Sequence, residues 1–99
     1  MSGVQLRRYE IKPGEMDAFL VAWRGILPVR EKFGFSVVCA FVDTEGSEFT
    51  WVVRHDGDFP AAEKDYYASP DRAAATNPAA HIAAAHVAMV SPQLPSVAP

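Results

Sequence analysis

FSVVCAFVDTEGSEFTWVVRH, residues 35–55 of this 99-residue chain, contains two apolar runs rich in β-branched and aromatic residues. The runs cover residues 35–42 and 48–55, and the short polar stretch between them contains Gly46. Loops of three to five residues that contain glycine commonly join the two strands of a β-hairpin. This stretch therefore predicts an antiparallel hairpin.

The first strand of this hairpin is apolar on both of its predicted faces. Strict alternation of side chains gives one face of Phe35, Val37, Cys39 and Phe41 and another of Val38, Ala40 and Val42. A strand that is apolar on both faces is normally buried on both. We therefore expect a second copy of the chain to cover one face, and we expect Cys39 to be a buried apolar residue and not a nucleophile.

A strand and a helix precede the hairpin. Residues 4–11 favour a strand that ends at Pro13 and Gly14. Apolar residues at spacings of three and four then predict a helix, with a buried stripe of Met16, Phe19, Leu20, Trp23 and Leu27. Pro28 should kink this helix or restart it for a last turn through Lys32, and Gly34 should end it.

Short helices and one more strand follow the hairpin. Proline in the first turn predicts three short helical pieces within residues 59–84, beginning near Pro60, Pro70 and Pro78, the last two preceded by the capping residues Ser69 and Asn77. Residues 85–90 favour a final strand, which Pro92 ends.

The order strand, helix, strand, strand, helices, strand predicts a ferredoxin-like βαββαβ fold of the α+β class. In this fold the helices cover one face of a four-stranded antiparallel sheet. Residues 1–92 form a single domain in this interpretation, and residues 93–99 form a C-terminal tail. A chain of 99 residues builds only a modest core, which is a second reason to expect a homodimer.

Four segments, taken in order, resemble the NIPSNAP-like proteins. They are VQLRRYEIKPG at 4–14, LPVREKFGF at 27–35, FTWVVRHDG at 49–57 and YYASPDR at 66–72. The first places leucine, arginine and tyrosine on a strand before a Lys-Pro-Gly turn. The resemblance extends over about residues 4–92.

This resemblance implies a dimeric α/β-barrel, in which the sheets of two subunits face each other and a pocket lies between each sheet and its helices. Proteins with that architecture include cofactor-free monooxygenases, lactone isomerases, polyketide cyclases and haem-degrading enzymes. Many NIPSNAP-like proteins have no assigned reaction. The resemblance therefore implies an apolar pocket without specifying its chemistry.

Composition argues against several classes of partner. The net charge is −3, the pI is near 5.5, and the Lys and Arg residues are scattered, which disfavours nucleic-acid binding. No stretch approaches the ~18 to 20 apolar residues of a membrane helix, and the N-terminus has no signal-peptide core. We therefore expect a cytoplasmic protein with no nucleic-acid or membrane partner.

Three histidines, His55, His81 and His86, raise the question of a metal site. The predicted topology places His55 and His86 at opposite ends of the sheet, and His81 lies five positions before His86, which is not a usual ligand spacing. No sequence feature identifies any of these histidines as a haem ligand. We therefore expect neither a metal nor another cofactor.

The candidate site lies where aromatic residues converge at one end of the predicted sheet. Tyr66 and Tyr67 are adjacent on a helix, so their side chains point about 100° apart and cannot share one buried stripe. We predict His86, Tyr66 and Tyr9 as catalytic residues, with His86 as general acid or base. The predicted substrate-binding residues are Trp51, Tyr67, Trp23 and Phe49, and the last two also fit an ordinary core.

Arg7 and Arg54 are expected at the other end of the sheet, paired with acids such as Asp56, with a ligand carboxylate as the alternative partner. The function predicted from these residues is an enzyme that acts by proton transfer, without a metal, on a hydrophobic or aromatic metabolite. A cyclase, an isomerase and a cofactor-free monooxygenase all fit. The alternatives are a non-catalytic dimeric interaction module and a haem-binding protein.

Overall fold

A computed structural model describes residues 1–94; residues 95–99, most of the predicted tail, lie outside the described residues. The predicted βαββαβ order and the ferredoxin-like α+β fold are confirmed. The elements are β1 (Gly3–Ile11), α1 (Met16–Lys32), β2 (Phe35–Val42), β3 (Glu48–His55), α2 (Phe59–Ala68), α3 (Pro70–Ala74), a 3-10 turn (Pro78–His81) and β4 (Ile82–Val90).

The four strands form one antiparallel sheet in the order β2-β3-β1-β4. Tyr9 of β1 lies opposite Phe49 of β3, and Arg7 lies opposite Trp51. These odd-numbered residues point toward the helices, and we call that side the helix-covered face. The even-numbered residues of β1 and β3 point to the other side, which we call the open face.

The core fills the space between the helix-covered face and α1 and α2. Helix α1 contributes Phe19, Trp23 and Ile26, and α2 contributes Phe59 and Tyr66. The sheet contributes aromatic and β-branched side chains at Tyr9, Ile11, Phe35, Phe49, Trp51 and Val53. Edge-to-face contacts connect the two layers, with ring centres 5.0 Å apart for Phe19 and Phe49 and 4.9 Å apart for Trp23 and Phe49.

Helix α1 is one continuous helix that extends through Pro28 to Lys32, so the predicted last turn is present and the helix is not restarted at Pro28. The backbone N–H groups of Phe33 and Gly34 donate to the carbonyls of Arg30 and Glu31 and close the helix. Gly34 has φ +89°, and a Cβ there would lie 2.7 Å from His55 Nε2. Glycine therefore fits this helix end for two reasons, its left-handed backbone and the imidazole beside it.

Capping side chains begin α2 and α3. The Asp58 carboxylate accepts a hydrogen bond from the backbone N–H of Ala61 at 3.1 Å. Ser69 Oγ accepts one from the backbone N–H of Arg72, also at 3.1 Å. The predicted capping role of Ser69 is therefore confirmed. Asn77 makes no side-chain cap to the 3-10 turn that it precedes.

The start of β4 corrects one sequence-based boundary. Residues 82–84 were expected to be helical, but the strand already begins at Ile82. Ile82 pairs with Ile11, and Ala84 pairs with Glu10, with a bulge between these two pairs. Pairing with β1 therefore outweighs the helical preference of the alanines.

A bulge in β2 corrects the predicted faces of that strand. Val37 pairs with Val53, but Cys39 pairs with Val52, so the alternation changes phase at Val38. Cys39 consequently points to the open face and is exposed in the single chain, contrary to the expected burial. Phe41 also points to the open face and is 56% exposed.

Within residues 1–94, no helix combines the length and the apolar character needed to span a membrane.

Candidate functional site

A cleft of about 340 Å³ lies between the helix-covered face and the helices, near the end of the sheet that carries Tyr9. We call it the tyrosine cleft. Residues of β1, β3, α1, α2 and α3 line it, together with Pro78, Ala79 and residues 82–85. The side chains that line it from the sheet and the helices are Arg7, Tyr9, Trp51, Ile26, Arg30, Tyr66, Tyr67 and Arg72.

Arg7 organises the sheet wall of the cleft. Its Nε donates to the Tyr9 hydroxyl at 2.6 Å, and its NH1 donates to Gln5 Oε1 at 2.7 Å. Its NH2 donates to the Tyr67 hydroxyl at 3.3 Å. Burial lowers the pKa of Arg7, but the oxygens of Tyr9, Tyr67 and Glu63 outweigh that effect, and the pKa is raised. Arg7 is therefore a fixed positive charge.

The Tyr9 hydroxyl accepts two hydrogen bonds. The second comes from the indole Nε1 of Trp51 at 3.0 Å. A phenol oxygen that accepts two bonds still has its own hydrogen to donate. Tyr9 also lines the cleft.

Arg30 enters the cleft from α1. The residue is 2% exposed, and its guanidinium is surrounded by aromatic rings. The guanidinium carbon lies 4.2 Å from the ring centre of Tyr66, 4.9 Å from Phe35 and 5.5 Å from Trp51. Arg30 NH2 donates to the Tyr67 hydroxyl at 3.2 Å, whereas Nε and NH1 have no hydrogen-bond partner among the described residues.

The two adjacent tyrosines of α2 have different environments, as the helical geometry predicts. Tyr66 is fully buried, and Tyr67 is 49% exposed with its hydroxyl between Arg7 and Arg30. The Tyr66 hydroxyl makes no hydrogen bond of good geometry within residues 1–94, although the Arg30 guanidinium lies beside it and interacts with it. Burial raises the pKa of the Tyr66 phenol despite the opposing charges of Arg30 and Arg72. The phenol therefore stays protonated at neutral pH and can donate a hydrogen bond.

Glu63 supplies the nearest carboxylate. Its Oε2 lies 3.7 Å from Arg7 NH1 and 4.0 Å from Arg30 NH1. Both separations exceed hydrogen-bond length. Glu63 thus offsets part of the positive charge without satisfying the N–H groups.

The structure brings together four of the predicted site residues and places two others in the core. Tyr9, Trp51, Tyr66 and Tyr67 all line the tyrosine cleft. Trp23 and Phe49 pack against each other between α1 and the sheet and do not line it. Their alternative interpretation as core residues fits their burial.

His86 is at the predicted end of the sheet but on the wrong face for the predicted constellation. It pairs with Arg8, whose side chain points to the open face. His86 is exposed there, beside a small depression of about 180 Å³ that Arg8, Glu10 and Glu48 also line. The expected grouping of His86 with Tyr9 and Tyr66 is therefore wrong, because adjacent strand positions face opposite sides of a sheet.

The remaining charged candidates make local contacts. Arg54 NH2 pairs with Asp56 Oδ1 at 2.6 Å, which confirms the expected ion pair. His55 Nε2 lies 2.8 Å from the Phe33 carbonyl oxygen, and His81 Nδ1 lies 2.8 Å from Glu15 Oε1. Across residues 1–94, no three His, Cys, Asp or Glu side chains converge as metal ligands would.

Two arginines of the cleft were missed or misplaced by the sequence analysis. Arg7 was assigned to the opposite end of the sheet, but its long side chain runs along β1 toward Tyr9. Arg30 was not considered. It follows Phe19, Trp23 and Ile26 at spacings of four, three and four, so an arginine on the buried stripe of α1 was the available signal.

Solved structures share this fold along nearly the whole chain. An uncharacterised NIPSNAP domain protein from Burkholderia xenovorans has a TM-score of 0.78 at 17% identity, covering 99% of this chain and 100% of that one. A NIPSNAP family protein from Agrobacterium tumefaciens has a TM-score of 0.81 at 16% identity, covering 97% of each chain. An antibiotic biosynthesis monooxygenase has a TM-score of 0.63 at 18% identity, covering 93% of this chain and 98% of that one.

No family model matches the sequence, and no curated protein matches it. At identities this low, the structural likeness establishes the fold and does not carry over a reaction. The predicted resemblance to the NIPSNAP-like proteins is confirmed at the level of the fold.

Proposed function

We propose that the tyrosine cleft binds a hydrophobic or aromatic metabolite and that the protein acts on it by proton transfer without a metal. A cyclase, an isomerase and a cofactor-free monooxygenase each fit this description. The observation that carries the proposal is the cleft itself, which combines aromatic walls with a few convergent polar groups. That combination is typical of small-molecule sites.

The size and the lining of the cleft support a ligand with one or two aromatic rings. A volume of about 340 Å³ lies within the range of small-molecule pockets. Tyr67, which is half-exposed, offers a ring surface, while Ala79, Ala83, Ala84 and Ala85 supply small side chains. A flat apolar ligand would stack against this ring.

Tyr9 and Tyr66 are the proposed proton donors. The Tyr9 hydroxyl is held by Arg7 and Trp51, which fixes the oxygen and leaves its hydrogen for the ligand. The Tyr66 hydroxyl is buried at the same cleft without a protein partner among the described residues. His86 has no part in this proposal because it lies on the open face.

Two neighbouring alanines of the 3-10 turn provide the test. Ala79 lines the tyrosine cleft, and Ala80 does not, although both are exposed. Ala79→Phe should therefore fill part of the cleft, whereas Ala80→Phe adds the same ring outside it. Isothermal titration with 2-naphthoate and 2-naphthamide should show binding of at least one compound to the wild type and to Ala80→Phe, and at least tenfold weaker binding to Ala79→Phe. Equal affinity in all three proteins, or no binding to any, would contradict the proposal.

We also propose a homodimer joined through the open faces of two sheets. The open face exposes Val38, Phe41 and Val90. A groove of about 340 Å³ on this face is lined by Val38 and Val90 together with Val4 and Val52. The chain is only 18 Å thick along its shortest axis, as expected for one sheet and one helix layer. A second copy would cover this apolar face and supply the burial that a short chain lacks. A dimer that binds no ligand would instead favour the non-catalytic interaction module.

A further inference from the structure

We infer that the tyrosine cleft selects ligands that carry an oxyanion, and that the guanidinium of Arg30 and the hydroxyl of Tyr66 are the groups that bind it. The inference rests on the proposed function, since it names the class of ligand that the cleft takes. That class is a planar aromatic molecule with a carboxylate, phenolate or enolate oxygen.

The first supporting observation is the unfinished hydrogen bonding of Arg30. The side chain is 2% exposed, yet Nε and NH1 have no partner among residues 1–94. Burying a guanidinium in this way is unfavourable unless an anion or water completes its hydrogen bonds. Arg30 lines the cleft, but Nε and NH1 are closed to solvent in the free chain, so the side chains around them must shift for a ligand oxygen to reach them.

The second observation is the buried hydroxyl of Tyr66. It is fully inaccessible to solvent in the free chain and makes no hydrogen bond of good geometry in the described part of the chain, although the Arg30 guanidinium lies beside it. Its ring centre lies 4.2 Å from the Arg30 guanidinium carbon, so both donors belong to one small region. A guanidinium and a neutral phenol are both donors to an oxyanion.

The third observation is the balance of charge around the cleft. Arg7, Arg30 and Arg72 line it, and none of the lining residues that the structure describes is acidic. Glu63 lies beside Arg7 and Arg30 but beyond hydrogen-bond distance. Glu63 lies near two of the three guanidinium groups, those of Arg7 and Arg30, which leaves an excess of positive charge in a site partly shielded from water. Attraction to an anion is strengthened in such an environment.

Two ligands of nearly the same shape but different charge distinguish the contribution of ligand charge to binding from that of ligand shape. 2-Naphthoate is ionised at pH 7, and 2-naphthamide is neutral with the same ring system. Isothermal titration of the wild type should show at least about tenfold tighter binding of 2-naphthoate, the factor expected for a charged hydrogen bond. Added salt should narrow that difference.

The matched variants are Arg30→Gln and Arg24→Gln. Both residues belong to α1 and lose the same charge, but Arg24 is exposed and does not line the cleft. Arg30→Gln should abolish the preference for 2-naphthoate, and Arg24→Gln should keep it. Tyr66→Phe, which removes only the unpartnered hydroxyl, should reduce the preference and serves if Arg30→Gln does not fold.

The outcomes distinguish this inference from the proposed function. Equal binding of both probes by the wild type overturns the inference and leaves the aromatic cleft standing. A preference that survives both Arg30→Gln and Tyr66→Phe overturns the assignment of these two residues. Failure of both probes to bind overturns the proposed function and the inference together.

Discussion

Arg30 occupies a position on α1 where helical spacing favours an apolar residue. Four aromatic rings lie within 5.5 Å of its guanidinium carbon, those of Phe35, Trp51, Tyr66 and Tyr67. Such contacts offset part of the desolvation of a buried cation. They do not supply acceptors for its N–H groups, which is why the unpartnered nitrogens point to a ligand.

The two cleft tyrosines should respond in opposite ways to loss of the hydroxyl. Tyr66→Phe removes a buried hydroxyl that has no protein partner among residues 1–94, so it should leave the free energy of unfolding unchanged or raise it. Tyr9→Phe removes the acceptor for Arg7 and Trp51 and should lower that free energy by about 1–3 kcal/mol. Urea denaturation of both variants measures the difference. If the free energy of unfolding falls as much in Tyr66→Phe as in Tyr9→Phe, the Tyr66 hydroxyl has a structural role.

At the scale of elements, the loop of the β2-β3 hairpin is held by one carboxylate. Asp43 Oδ1 accepts from the backbone N–H of Ser47 at 2.8 Å and of Glu48 at 2.9 Å, and Oδ2 accepts from Ser47 Oγ at 3.1 Å. The N–H of Glu48 makes the largest contribution to lowering the pKa of Asp43, and Ser47 adds to it. The ionised carboxylate therefore stabilises the hairpin.

This shift predicts a dependence of stability on pH. A carboxyl whose pKa is lower in the folded state contributes stability above its unfolded pKa of about 3.9, and that contribution disappears as the pH falls through the folded pKa. Asp43→Asn should therefore be less stable than the wild type above about pH 5, and the two should converge in stronger acid. Denaturation series from neutral to acidic pH measure this difference. Glu45→Gln in the same loop is the control, and a gap between Asp43→Asn and the wild type that is independent of pH would contradict the account.

The ends of most elements follow from local chemistry and were predictable from the sequence. Residues 35–42 and 48–55 match β2 and β3 because glycine and polar residues border the apolar runs. The start of β4 was missed because alanine favours a helix, whereas pairing of Ile82 with Ile11 depends on residues distant in the chain.

The candidate site was only partly predictable because its members are set by the face of the sheet that each residue occupies, and not only by the end of the strand at which it lies. Tyr9 and His86 lie at the same end of the sheet but on opposite faces. The bulge at Val38 likewise changed the faces of β2, and no local signal in an all-apolar strand marks it. Arg30 was missed because its charge suggested the surface, whereas its spacing on α1 indicated the core.

At the scale of the whole molecule, the open face provides the basis for the proposed homodimer. Val38 is 53% exposed there, so Val38→Asp should be tolerated by the single chain but not by two apposed sheets. We expect the wild type to be dimeric at micromolar concentration and Val38→Asp to be a folded monomer, because burying an unpaired carboxylate is costly. Light scattering measures the mass, and circular dichroism checks the fold.

Val21→Asp is the matched control for the dimer. Val21 is also exposed, but it lies on α1 and away from the sheet. This variant should remain a dimer. A monomeric wild type, or a dimer that Val38→Asp leaves intact, would exclude assembly through the open faces.

The most direct test of the proposed ligand site is a map of where an aromatic ligand contacts the protein. Titration of ¹⁵N-labelled protein with 2-naphthoate, followed by amide chemical shifts, distinguishes the tyrosine cleft from the groove on the open face. We predict that the largest shifts belong to Arg30, Tyr66, Tyr67 and Ala79, with small changes at Cys39 and Val90. The largest shifts at Cys39 and Val90, or no localised shifts at a saturating concentration, would contradict the assignment of the tyrosine cleft as the ligand site.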